Sequence, residues 1–290
     1  MSKGERLREY ALLMRLDRPI GALLLLWPTL WALWVAGAGS PSAGVVAVFV
    51  TGVFLMRSAG CVINDYADRD IDPHVRRTRS RPLAAKRIQP KEALGLFVVL
   101  CLTAFALVLS QNALTVQMSV LGALLATTYP FMKRYHHFPQ VHLGVAFGWA
   151  VPMAFAAETG GVPPEGWLLF AVAVVWAVAY DTLYAMVDRE DDLRVGVRST
   201  AILFGQMDLV AVALAQVCVL SGLFLLGRSL GLGLAYLIGL AAAAGLMAYQ
   251  QYLARERDPS QCFKAFLNNN WVGFAVFMGI VADYLVTAEI

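Results

Sequence analysis

The chain has 290 residues, of which 59% are hydrophobic and only 15% charged. A soluble domain carries about 25% charged residues, so the composition excludes an ordinary water-soluble globule and points to a protein that crosses a membrane several times. The net charge of +3 gives no support to nucleic-acid binding, since no stacking aromatics interleave with the basic stretches.

A basic tail (Lys3, Arg6, Arg8, Arg15, Arg18) leads into the first apolar run. That run is long enough to span, and no small-residue cleavage site follows it, so it is read as a retained helix rather than a leader. About 20 apolar residues cross the hydrocarbon core. Nine segments approach that length, near 20–38, 43–63, 93–110, 114–132, 141–157, 166–187, 207–227, 230–250 and 268–287. The runs are continuous rather than alternating, which favours helices over barrel strands. The prediction is an all-α, polytopic membrane protein forming a single domain over 1–290.

Of the 23 lysines and arginines, all except Arg57 and Arg228 lie in the tail or in the connections 64–92, 133–140, 188–206 and 251–267. With nine spans these segments share one side. The positive-inside rule makes that side cytoplasmic and puts the C-terminus in the periplasm. The cysteines (61, 101, 218, 262) form no CxxC pair and the histidines (74, 136, 137, 142) show no HExxH spacing. The cysteines are read as packing residues.

Two acidic clusters close the second and sixth spans. In "CVINDYADRDID" (61–72), Arg57, Asn64, Asp65, Asp68 and Asp72 recur at helical spacing, while Asp70 is offset and expected to be solvated. In "YDTLYAMVDREDD" (180–192), Asp181, Tyr184, Asp188, Asp191 and Asp192 do the same. Each set lines one helical face. Ordinary solvated helix ends are the plain reading. Against it, carboxylates at a helix C-terminus oppose the macrodipole, and like charges one turn apart repel. Two such clusters on one side call for counter-charge, and Mg²⁺, a hard ion that takes carboxylates together with substrate phosphates, suits them. Arg57 and Asp181 fall inside spans, where a charge is costly. They either pair with each other or face a cavity.

A diphosphate bridging the two clusters would also use the basic residues of the adjacent loops. Candidates are Arg77, Arg81, Lys133, Arg194 and Arg198, each of which topology alone would also explain. A diphosphate site embedded in a membrane implies a lipid-tailed substrate. If the ester is allylic, stabilising the leaving group gives a delocalised cation that an electron-rich ring can attack once water is excluded.

Asn64-Asp65-x-x-Asp68-x-x-x-Asp72, Asp181-x-x-Tyr184-Ala185-x-x-Asp188-x-x-Asp191-Asp192 and Tyr129-x-x-x-Lys133 resemble the motifs of the UbiA superfamily of intramembrane aromatic prenyltransferases. The likeness covers essentially the whole chain. The stretches "RLDRPIGALLLLWPTLWALW", "YPFMKRYHHFPQ" and "CFKAFLNNNWVG" are similar to the branch acting on 4-hydroxybenzoate in ubiquinone synthesis.

The resemblance implies nine helices around a central cavity with cytoplasmic cap loops, in a bacterial inner membrane. It implies Mg²⁺-dependent transfer of a polyprenyl group from polyprenyl diphosphate to the ring carbon meta to the carboxylate of 4-hydroxybenzoate. Asp65, Asp68, Asp72, Asp188, Asp191 and Asp192 would be metal ligands, and all of these except Asp191 catalytic carboxylates. Arg77, Arg81, Lys133, Tyr129, Arg194 and Arg198 would meet the diphosphate. Arg57, Asn64, Asp181 and Tyr184 would meet the acceptor. An aspartate, the released diphosphate or water would take the ring proton. Other acceptors (dihydroxynaphthoate, homogentisate, haem) are the nearest alternatives, and a divalent-cation transporter is the rival from another class. Asn268, Asn269 and Asn270 are expected to cap the ninth helix or to line the cavity.

Overall fold

The computed structural model describes residues 2–288, and among these no strand occurs. Twelve α-helices follow one another: α1 (Lys3–Leu13), α2 (Ile20–Ala36), α3 (Ala43–Ala67), α4 (Pro90–Val108), α5 (Ala113–Thr128), α6 (Pro139–Gly148), α7 (Ala150–Thr159), α8 (Pro164–Val195), α9 (Thr200–Phe204), α10 (Asp208–Leu230), α11 (Leu234–Ala254) and α12 (Pro259–Ala288). Eight helical stretches are long and apolar enough to cross a membrane, and α2 is a shorter apolar helix of 17 residues. The nine predicted runs are thus eight full-length candidates and one short one. Their outward faces carry large apolar side chains, including Val99, Leu102, Leu214, Val217, Leu225 and Ile238. That is the surface of a multi-pass membrane protein rather than a water-soluble one.

Three departures from the predicted elements have physical causes. The run 141–157 is split into α6 and α7, because Pro152 has no N–H to give the Gly148 carbonyl and its ring crowds that carbonyl. The run 166–187 extends to Val195 and ends at Gly196, whose φ of 72° allows a left-handed cap. Both halves of the second acidic cluster therefore ride one helix. The ninth run starts earlier than expected, at Pro259. Asp258 Oδ1 accepts from the Gln261 N–H at 3.0 Å, so Asp258 caps the helix and Asn268–Asn270 lie well inside it.

Those three amides bolt α12 to its neighbours. Asn270 Oδ1 accepts from Trp27 Nε1 at 2.9 Å, Asn269 Oδ1 from Trp176 Nε1 at 3.0 Å, and Asn268 Oδ1 from Gln250 Nε2 at 3.0 Å. In hydrocarbon such polar pairs replace the driving force that water supplies elsewhere. The core between α2, α8 and α12 is built on the stacked Trp31 and Trp176, ring centroids 5.1 Å apart. Helices α11 and α12 approach backbone to backbone. A Cβ at Gly239 would lie 2.7 Å from the Gly279 Cα, so only glycine permits that contact.

At the basic end, the short helix α1 straps across α3 and α4. Leu13 is fully buried against Ala59, Val62, Leu83, Ile88 and Ala93. Arg6 pairs with Glu92, and Arg87 Nε reaches Glu9 at 2.9 Å. The segment between α3 and α4 folds back over the same end, with Leu83 and Ile88 buried.

Candidate active site

The first acidic motif begins on α3 and continues past it. Asp65 sits in the last turns, Asp68 is the C-terminal cap, and Asp72 opens a 3₁₀ turn over Asp72–His74. The single helical stripe predicted for Arg57 to Asp72 therefore ends at Asp68. The turn still brings Asp72 back, because the Asp72 and Ile71 N–H groups both donate to the Asp68 carbonyl at 2.8 Å. Asp65 and Asp68 are each 1% exposed and Asp72 5%. The side chain of Asp70, by contrast, is 80% exposed.

Each of these carboxylates is met by a cation. Arg15 Nη2 donates to both Asp65 oxygens at 2.8 Å. Arg81 Nη1 lies between Asp65, at 3.0 Å, and Asp72, at 2.9 Å. Lys133 pairs with Asp68. Arg77 reaches across to α8 and grips Asp188 through Nε at 2.9 Å and Nη2 at 2.5 Å. The Arg77 guanidinium also lies 4.7 Å over the Tyr184 ring. Asp191 Oδ2 accepts from the Arg76 backbone N–H at 3.3 Å. The two acidic clusters thus meet through the 72–81 segment.

Electrostatics follow from this burial. Burial pushes the Asp72 carboxyl above its ordinary value, while Arg81 pulls it down and Asp68 and Asp65 add to the rise. Burial works against the Arg77 guanidinium, but Tyr184, Asp188 and Asp72 outweigh it and hold Arg77 above its ordinary value. Arg81 is raised in the same way, with burial opposed by Asp65 and Asp72.

Whether the residues fit a divalent cation can be read from what they lack. Among the described residues no three carboxylates converge into a ready cage, because arginine and lysine hold them apart. Yet Asp68 Oδ1 is buried without a hydrogen-bond partner. A buried, orphaned carboxylate oxygen is costly, and it is the hard donor that Mg²⁺ takes. The all-oxygen donor set therefore fits such an ion, with the basic side chains acting as counter-charge in its place.

Below the carboxylates lies an open apolar cleft, with a cavity volume of about 170 Å³, between α2, α3, α4, α5, α6 and α7. Arg57, Gly60, Tyr129 and Phe147 line its polar end. The Arg57 guanidinium lies 5.7 Å over the Phe147 ring. It also rests on Gly21, where a Cβ would come 2.7 Å from Arg57 Cζ. Tyr129 is buried and its hydroxyl donates to the Gly60 carbonyl at 3.0 Å. Among the described residues Arg57 makes no salt bridge, so the interhelical pair with Asp181 is not formed. Asn64, Asp181 and Tyr184 are half-buried. Tyr184 packs on Phe266 with centroids 4.7 Å apart.

Two sequence candidates are placed differently. Arg194 is 73% exposed and lies 3.7 Å from Asp191, one turn away. Arg198 donates to the Tyr135 carbonyl at 2.6 Å, and its backbone N–H to the Lys133 carbonyl at 3.2 Å. It braces the turn that carries Lys133. Asp192 lies on α8, half-buried beside Asp191. Two residues escaped sequence reasoning. Arg134 approaches Asp68 Oδ1 to 3.9 Å. Arg15 was one basic tail residue among five, and nothing in its neighbourhood distinguished it from a topology signal.

The model of the UbiA prenyltransferase family matches residues 25–278. The 4-hydroxybenzoate octaprenyltransferase of Methylococcus capsulatus is 61% identical over 98% of this chain and 97% of its own length. That of Nitrosococcus oceani is 63% identical over 97% and 99%. Among solved structures, an apo UbiA homolog from Aeropyrum pernix K1 superposes with a TM-score of 0.79 at 23% identity, covering 93% of this chain and 98% of that one. A UbiA homolog from Archaeoglobus fulgidus bound to GPP and Mg²⁺ gives 0.68 at 18% identity, covering 93% and 99%.

Proposed function

The chain belongs to the UbiA prenyltransferase family, and on that premise we propose that it transfers a polyprenyl group from polyprenyl diphosphate to 4-hydroxybenzoate, as a step of ubiquinone synthesis. The new bond forms at the ring carbon meta to the carboxylate, and diphosphate leaves. Relatives at about this likeness are named for the octaprenyl group, and that length is the donor proposed here. The whole chain, 1–290, acts as one domain.

The observation that carries the acceptor is Arg57. It is a guanidinium within a membrane-crossing helix, with no salt bridge among the described residues, at the polar end of an apolar cleft and two turns below Asp65. A charge there is costly unless it is used. An acceptor carboxylate pairs with it and points the ring toward the aspartates, with Asn64, Asp181 and Tyr184 around it. The acyclic tail of the donor occupies the apolar cleft.

The chemistry follows from the order of charges. Asp65, Asp68, Asp72, Asp188, Asp191 and Asp192 would hold Mg²⁺, which when bound neutralises charge on the departing diphosphate. Arg77, Arg81 and Lys133 stand at the same end and hold the diphosphate oxygens, with Tyr129 beneath and Arg198 steadying the Lys133 turn. The allylic C–O bond breaks with its electron pair going to diphosphate. The ring carbon ortho to the hydroxyl forms the new C–C bond, and its proton passes to an aspartate, the released diphosphate or water as aromaticity returns. The apolar wall excludes the water that would otherwise capture the allylic cation.

The membrane is proposed to be the bacterial inner membrane, with this site on the cytoplasmic face. The concentration of Lys and Arg at one end of the bundle supports that orientation.

A membrane assay with a panel of acceptors and prenyl diphosphates tests the reading. Transfer to 4-hydroxybenzoate is expected to exceed that to dihydroxynaphthoate or homogentisate, to stop in excess EDTA and to return with Mg²⁺. Preference for another acceptor, or full activity in EDTA, overturns it.

A further inference from the structure

Arg15 stands apart from the other cations of the site. Arg77, Arg81 and Lys133 belong to the segments that cover the carboxylates. Arg15 comes from outside, from the turn that ends the strap helix α1. Its guanidinium is held from both sides. Nη1 donates to the Leu12 carbonyl at 2.8 Å and reaches the Leu13 carbonyl at 3.4 Å, while Nη2 spans both oxygens of Asp65. The carbonyl end of a helix favours a cation, so α1 presents this guanidinium ready oriented. The backbone at Arg15 is left-handed, with φ of 58°, a conformation glycine adopts freely and arginine does not. The strap cannot easily swing aside, because Leu13 is buried and Glu9 and Arg6 tie it to the opposite segment.

Both oxygens of Asp65 accept from the single Arg15 nitrogen Nη2, and Oδ1 also lies 3.0 Å from Arg81 Nη1, so a metal ion that reaches this carboxylate competes with the Arg15 guanidinium for its oxygens. We infer that Arg15 is a positioning residue: a latch that neutralises and immobilises Asp65 in the substrate-free protein and is displaced when metal and diphosphate enter together. The latch lets the protein keep a buried carboxylate without a metal, and lowers its affinity for a metal that arrives alone. This inference rests on the reading of Asp65 as a metal ligand.

The test is a titration of the purified full-length protein in detergent with Mn²⁺ alone, following free Mn²⁺ by electron paramagnetic resonance. Arg15→Gln is expected to bind Mn²⁺ about tenfold more tightly than the unaltered protein, as loss of one charge-assisted pair implies. Arg15→Lys, which keeps the charge but cannot hold the Leu12 carbonyl and Asp65 at once, is expected to fall between the two and carries the test if the glutamine variant does not fold. The metal-free glutamine variant should also unfold at a lower temperature, with Mn²⁺ restoring it. Equal or weaker Mn²⁺ affinity in both variants overturns the latch. Asp65→Asn in the same titration separates the two ideas. Weakened binding there with unchanged Arg15 variants removes the latch alone, and unchanged binding there removes the metal reading and the latch together.

Discussion

A buried carboxylate needs a counter-charge, and in this protein the supply comes from arginine and lysine on segments far apart in the chain. Asp188 and its partner Arg77 are separated by 111 residues, and Asp68 and Lys133 by 65. The same side chains that hold the aspartates apart are those a diphosphate would claim, so loading the site exchanges one set of ion pairs for another. Removing an aspartate should therefore hurt turnover more than folding. Asp68→Asn is expected to lower transfer about a hundredfold or more, the scale seen when one charge-stabilising group is lost, while the protein still inserts; near-normal rates in a membrane assay would exclude the role. Arg57 predicts a different signature. Arg57→Ala should raise the KM for 4-hydroxybenzoate about ten- to a hundredfold, as loss of one charged hydrogen-bonding partner implies, and leave the KM for the prenyl diphosphate near its starting value. Equal effects on both substrates would move Arg57 out of the acceptor site. The aspartates were legible in the sequence because carboxylates ending an apolar run break a strong local rule. Arg15 broke no rule, since a basic tail is what positive-inside topology asks for.

The helices show where hydropathy reading stops. An apolar window finds the part of a helix that meets lipid, not the turns that project beyond it, so α8 runs to Val195 and α12 begins at Pro259. The start of α12 carried a signal of another kind, an Asp-Pro pair at the cap and first helical position. Missing it turned Asn268–Asn270 from interhelical bolts into a supposed cap. Two substitutions test this packing. Asn269→Leu leaves the buried Trp176 indole N–H without its acceptor and should cost about 1–3 kcal/mol. Gly239→Val forces α11 away from Gly279 and should cost a similar amount, about 1–3 kcal/mol, as overpacking does. Both are read from thermal unfolding of the purified protein in detergent. Unchanged midpoints would mean that these contacts contribute little.

At the scale of the whole molecule, two independent properties point to the same end of the bundle. The Lys and Arg residues gather there, and so do the carboxylates that close α3 and the far half of α8. The charge asymmetry was legible because it depends only on counting residues between apolar runs. The closure of the two clusters through the 72–81 segment was not, since it depends on how a loop with no strong periodicity folds over the helix ends. The asymmetry makes a sharp prediction about orientation. Gly231 follows α10 at the end opposite the carboxylates, and Arg257 follows α11 at the same end as they do. Alkaline phosphatase fused after Gly231 is expected to be active in intact cells, because it is exported. A fluorescent protein that matures only in the cytoplasm should light up when fused after Arg257 and stay dark after Gly231. The reverse pattern would place the diphosphate site on the periplasmic face. It would then be cut off from water-soluble acceptors made in the cytoplasm, and the proposed reaction would lose its supply of 4-hydroxybenzoate from that side.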